Sequence, residues 1–203
     1  MLFFKKIAIS YFNRKKIYFI FLLFFLLFPL NVYNNENIYV TLTSWKGRIN
    51  FIHKGLERLL KNTIKPKKII LNLAEEEFPY KNLELPKEII DLLKKYKNFE
   101  VFWVKQNNKV FKKLIPTINR FKEGLIISVD DDILYPKDLF EKMLKCYKKM
   151  GGKNPISFGK KSSDWHINGI TINSHYGAGS VTKYKYFNNK INEIYFDTTK
   201  KKN

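Results

Sequence analysis

The sequence predicts an α/β domain built on an open, mostly parallel sheet, and three observations carry that prediction. After position 33, apolar runs rich in β-branched and aromatic residues recur about every thirty residues, the spacing of βα units. Segments of helical periodicity separate these runs. The fourth run ends in three consecutive aspartates, and open α/β sheets collect ligands beyond their C-terminal strand ends.

The elements follow in order. "NIYVTLT" (Asn37–Thr43) is the first strand, and Ile49, Ile52, Leu56, Leu59 and Leu60 then fall on one helical face. "KKIILNL" (Lys67–Leu73) is the second strand. "LPKEIIDLLKKYK" follows as a helix opened near Pro86, with Ile89, Ile90, Leu93 and Tyr96 expected to be buried. "FEVFWVK" (Phe99–Lys105) is the third strand, followed by a helix kinked or restarted at Pro116. "LIISVD" (Leu125–Asp130) is the fourth. A last helix in "PKDLFEKMLKCYKKM" places Leu139, Met143, Cys146 and Met150 in register and stops at Gly151-Gly152. Helices between buried strands favour parallel pairing. The last fifty residues read as loops with short strands, and Cys146 reads as a small core residue.

The chain holds 38 Lys and Arg against 18 Asp and Glu, a net charge of +20. Five of the basic residues and no acidic ones lie in residues 1–30, which leaves +15 for the remainder. Such a surface attracts polyanions, although scattered lysines are first of all a solvated face. Hydrophobic content of 45% excludes a disordered chain, and a single cysteine excludes an internal disulfide or a cysteine-based zinc site. Residues 1–33 are predicted to be a membrane segment, with 34–203 as the second domain. The apolar run Ile17–Leu30 would be about 21 Å long as a helix, short of the roughly 30 Å hydrocarbon core. A helix lying in or dipping into the inner leaflet therefore suits it better than a full span. No signal-peptide cleavage pattern follows the run.

The aspartates pose the chemical question. Asp130 and Asp132, two apart on extended backbone, are expected to converge while Asp131 points elsewhere. Hard carboxylate oxygens with no cysteine nearby suit Mg2+ or Mn2+. A single aspartate would suffice to cap the following helix.

"IISVDDDILYP" resembles the Asp-x-Asp region of GT-A glycosyltransferases, particularly family-2-like bacterial sugar transferases of surface polysaccharide assembly. "VTLTSWKGRI", "KPKKIILNLAEEEFP" and "FKKLIPTI" resemble that group in order and spacing, so the similarity covers Asn37 to Phe140 well and the tail loosely. The resemblance implies a GT-A fold and metal-assisted transfer from a nucleoside-diphosphate sugar to a glycan or lipid-linked acceptor, with Mn2+ or Mg2+ as cofactor. It implies donor-nucleotide contacts from Thr43, Ser44, Trp45, Arg48, Asp130 and Asp131. Asp132, with Asp130, would ligate the cation, and Tyr176, Gly177 and Gly179 in "SHYGAGSV" would form an acceptor loop. Lys112 and Lys113 match a basic pair ahead of the aspartates, although solvated charge is the preferred reading for both. Core packing competes for Trp45. His166 and His175 fall where a third metal ligand would sit, but a non-ligand role is preferred for both, as for His53.

The usual late carboxylate segment that supplies a general base has no counterpart, since only Glu193 and Asp197 follow the acceptor segment. The catalytic base is thus unassigned, and a truncated or catalytically silent transferase that binds nucleotide or a partner is one alternative. A basic module for anionic lipid or nucleic acid is another, but no aromatic-basic platform for specific nucleic-acid binding is present. A phosphatase of the haloacid-dehalogenase type fits poorly, because Leu134 stands where that motif carries Thr or Val. Transferases using cytoplasmic donors would face inward, so the expected location is the cytoplasmic face of a bacterial inner membrane.

Overall fold

A computed structural model describes residues 36–167 and 170–187, with side chains of 159–178 left aside. The N-terminal apolar segment and the late carboxylates Glu193 and Asp197 lie outside the described residues. Among those described, no helix is long and apolar enough to cross a membrane.

Six strands form one sheet: β1 (Ile38–Thr43), β2 (Lys68–Ala74), β3 (Phe99–Val104), β4 (Leu125–Ser128), β5 (Ile156–Ile167) and β6 (Ile170–Thr182), in the order β3-β2-β1-β4-β6-β5. β1 pairs in parallel with both β2 and β4, and β2 in parallel with β3. β6 joins β4 antiparallel and pairs with β5 as a hairpin. From β1 the chain builds outward to β3, then returns to add β4 on β1's other side. The strand order therefore reverses between β1 and β4, which opens a crevice at their C-terminal ends.

The core follows from the two-residue period of the strands. Tyr39, Ile70 and Ile126 face one way and pack with Ile115 and Ile118 of helix α3 (Ile115–Arg120). Val40, Leu42, Ile69 and Leu71 alternate to the other face and are also fully buried, so the sheet is covered on both sides. α1 (His53–Leu60) follows a single 3-10 turn at Ile49–Phe51, and Ile49, Ile52, Leu56, Leu59 and Leu60 are all buried, as their spacing predicts. Pro116 stands in the first turn of α3, after a 3-10 turn at Lys109–Lys113, so the helix restarts there.

Four sequence expectations are corrected. In α2 (Lys87–Lys95), Ile89 and Leu92 are buried, whereas Ile90, Leu93 and Tyr96 are only half-buried; the helix is short and rests on a narrower stripe. In α4 (Leu139–Lys149) the buried face is Leu139, Phe140, Met143, Leu144 and Tyr147. That rotation leaves Cys146 and Met150 exposed. The fourth strand stops at Ser128, two residues before Asp130. The tail forms a long hairpin, with strands of 12 and 13 residues, rather than loops with short strands. Tyr176, Gly177 and Gly179 lie in β6 and not in a loop. The adjacent pairs Lys160-Lys161 and Ser162-Ser163 break the apolar pattern and hide a strand from a reading based on apolar runs.

Candidate functional site

A cleft of about 750 Å³ opens at the C-terminal edge of the sheet. Each parallel strand contributes residues at or beyond its C-terminal end: Thr43, Ser44, Trp45 and Arg48 from β1, Glu77 from β2, Asn107, Lys109, Val110, Lys112 and Lys113 from β3, and Asp130 to Ile133 from β4. The six residues expected to contact donor nucleotide, together with Asp132, thus share one cleft. Its charged lining is balanced: Arg48, Lys109, Lys112 and Lys113 against Glu77, Asp130, Asp131 and Asp132.

The aspartate turn is held from below. Asp130 N–H donates to the Tyr135 hydroxyl at 2.9 Å. Tyr135 is buried, and that burial pushes its phenol pKa well above the ordinary value, so it stays neutral. Asn62 bonds Pro136 C=O through Nδ2 (3.3 Å) and accepts from Phe140 N–H (3.4 Å), fixing the start of α4. Gly55 of α1 lies against the turn, where a Cβ would come within 3.3 Å of Ile133 O.

Because β4 ends at Ser128, the strand alternation that would bring Asp130 and Asp132 together does not reach them. Instead Arg48 Nη1 donates to Asp131 Oδ1 at 2.8 Å and to Asp132 Oδ2 at 3.0 Å. Asp130 pairs separately with Lys113 Nζ. The Asp131 hydrogen bond, and then its charge, raise the Arg48 pKa further above its already high value. Among the described residues no three His, Cys, Asp or Glu side chains converge as a ready metal site. One carboxylate oxygen, Asp131 Oδ2, is nonetheless buried with no partner, and so is the Ser44 hydroxyl. Buried polar atoms without partners are uncommon, and both belong to residues lining the cleft.

Lys112 and Lys113 are not solvated charge. Lys112 is only 3% exposed and donates to Glu77 Oε2 (2.6 Å) and Asn107 Oδ1 (2.9 Å). The backbone carbonyl of Lys113 accepts from Thr41 Oγ1 and from Asn72 Nδ2 (3.1 Å). Asn72 Nδ2 also donates to Thr41 Oγ1 (2.8 Å), whose oxygen lies 2.7 Å from Thr117 Oγ1. This fully buried polar knot ties β1, β2 and α3 together beneath the cleft and sets where Lys113 starts. Trp45 is 52% exposed and lies in the cleft wall rather than in the core. Its ring folds back over Gly47, where a Cβ would lie 2.3 Å from the indole.

Sequence reasoning missed Glu77, Asn107 and Lys109. The signal for Glu77 was "EEE" directly after a strand in a basic chain. Asn107 and Lys109 carry no local signal, since only the folding of the β3–α3 connection brings them in. Gly179, with φ +104, sits where a Cβ would meet Ser128 O at 2.0 Å, so β6 crosses the end of β4 closely beside the aspartate turn. His53 is on α1 with its ring 3.3 Å from Asn50 O and does not line the cleft.

No family model matches the chain, and no curated protein matches it in sequence. Solved structures match it in fold. A 4-diphosphocytidyl-2C-methyl-D-erythritol synthase from Anaerococcus prevotii superposes with a TM-score of 0.54 at 12% identity, over 78% of this chain and 75% of that one. Residues 1–349 of S. aureus TarS in complex with UDP superpose with a TM-score of 0.52 at 12% identity, over 78% of this chain and 49% of that one. The same TarS fragment with UDP-GlcNAc gives 0.51 at 11% identity, so the chain spans about half the length of that fragment. Likeness at this level defines the fold. The chain has the GT-A-type fold shared by nucleotidyl- and glycosyltransferases.

Proposed function

We propose that the cleft binds a nucleoside-diphosphate sugar and transfers the sugar to a glycan or lipid-linked acceptor. The observation that carries this reading is the run of three carboxylates, meshed with Arg48 and Lys113, at the switch point of a GT-A-type sheet. The TarS fragment of the same fold binds UDP and UDP-GlcNAc, which supports this donor class. Thr43, Ser44 and Trp45 would meet the nucleoside, with the orphaned Ser44 hydroxyl free to bond it. Arg48 and Lys113 would meet phosphate oxygens, for which a guanidinium is well shaped. The acceptor would approach along β6, past Tyr176, Gly177 and Gly179.

The donor set of the turn fits Mn2+ or Mg2+: it is all oxygen, and Asp131 Oδ2 is buried without a partner. Asp132, with Asp130, would ligate the cation, and Asp131 Oδ2 is a further oxygen open to it. When bound, it supplies charge neutralisation for the departing nucleoside diphosphate. Calorimetry with UDP tests the reading. Asp132→Ala is expected to weaken UDP binding in Mn2+ by at least about tenfold, without weakening it in the absence of Mn2+. Equal affinities in Mn2+ for both proteins would end the metal assignment.

Residues 1–33 would hold the domain at the inner leaflet, with 34–203 on the cytoplasmic face and the basic surface meeting anionic lipid. Protease added to intact spheroplasts is expected to leave the domain uncut. Digestion there would mean that the segment spans the membrane and that the donor is not a cytoplasmic one.

A further inference from the structure

Each carboxylate of the aspartate turn already carries a cation of the chain itself. Lys113 holds Asp130, and one nitrogen of Arg48 holds both Asp131 and Asp132. A divalent cation entering alone would meet three carboxylates already paired with two cations of the chain, which it would have to displace into solvent. A diphosphate entering alone would find those same side chains already engaged. Arriving together, the two ligands bring charges of opposite sign to a lining that holds four basic and four acidic groups.

The basic groups are also built to move. Arg48 is 40% exposed and bonds both aspartates through Nη1 alone, not through the two-pronged geometry that grips one carboxylate most firmly. Lys113 swings on a flexible stem from a backbone pinned by Thr41 and Asn72. The unpartnered Asp131 Oδ2 shows that Arg48 leaves part of the turn's binding capacity unused.

We propose that Arg48 and Lys113 are resident counter-ions that exchange from the aspartates to the incoming diphosphate, so that divalent cation and nucleoside diphosphate bind weakly alone and strongly together. This inference rests on the assignment of the cleft to a nucleoside-diphosphate sugar. It adds that Arg48 opposes the cation in the empty protein and becomes its ally once the diphosphate is present. Linkage makes the effect reciprocal: each ligand tightens the other by the same factor.

The test uses the full chain with Mn2+ and UDP as probes. Mn2+ binding is read from the paramagnetic resonance of the free ion, with and without UDP, and UDP binding by calorimetry. In the wild type, UDP is expected to tighten Mn2+ by about tenfold or more. In Arg48→Gln, Mn2+ alone is expected to bind about fivefold tighter, and the enhancement by UDP to shrink markedly. Formation of the Mn2+–UDP complex in solution is common to both proteins and cancels in the comparison. Arg48→Lys, which keeps the charge, is expected to restore the coupling in part, and Lys113→Gln to reduce it. Circular dichroism checks that each variant is folded. If Arg48→Gln and wild type bind Mn2+ equally and gain the same factor from UDP, the exchange is overturned while the donor assignment stands. If the wild type binds neither probe, singly or together, the donor assignment fails and the exchange falls with it.

Discussion

Gly179→Ala is expected to destabilise the domain by about 3 kcal/mol, combining overpacking with an unfavourable backbone conformation. The new methyl carbon would stand 2.0 Å from Ser128 O, and the backbone at φ +104 disfavours any side chain. Ser128 pairs with Ser180 in the β4–β6 ladder, and their hydroxyl oxygens lie 2.7 Å apart. Relief therefore requires β6 to move away from β4, just where the chain enters the aspartate turn. Gly151→Ala is the control. Its φ is +84, but no atom lies within 4 Å of the added carbon, so only the conformational penalty of about 1 kcal/mol applies. Urea unfolding of both variants separates the two contributions, and a loss at Gly179 no larger than at Gly151 would rule out the close strand crossing.

Glu77→Ala is expected to cost about 3 kcal/mol, the lower end for breaking a buried ion pair, because Glu77 keeps 18% of its side chain exposed. Lys112, only 3% exposed in the intact pair, would keep its charge with only the neutral Asn107 amide oxygen as partner. The Lys112→Met change in the same chain is expected to recover much of the loss, since removing both charges avoids the uncompensated ammonium. A double-mutant cycle from denaturant unfolding measures this coupling. Additive losses from the two single changes would show that the pair contributes nothing beyond its parts. The pair also anchors the turn Lys109–Lys113, so its loss is expected to loosen the grip of Lys113 on Asp130.

Much of the fold was legible because its signals are local. β1 to β4 begin within one residue of the apolar runs that mark them, and the 3-10 turn and α1 together bury the five residues the periodicity selects. The restart at Pro116 and the stop at Gly151-Gly152 follow from backbone chemistry that needs no neighbour. The α4 stripe was misread because two adjacent helical faces both offered apolar residues. Packing chose Phe140, Leu144 and Tyr147 over Cys146 and Met150. The Tyr147 hydroxyl, bonded to Gly152 O at 2.7 Å, helps to set that choice. The hairpin of β5 and β6 escaped notice because its ladder is made by the backbone, which side-chain patterning reports only weakly.

The sequence by itself determined that a basic α/β chain carries three carboxylates at a strand end, and that Thr43 to Arg48 follow another strand of the same sheet. Both are statements about neighbours along the chain, readable from period and composition. Only the tertiary structure decided how those carboxylates are shared. Asp130 goes to Lys113, whereas Asp131 and Asp132 go to Arg48, and Lys112 turns inward to Glu77. Those partners lie 17, 83, 84 and 35 residues apart along the chain. Charge pairing depends on distance in space, and only the strand order β2-β1-β4 converts such separations into contact.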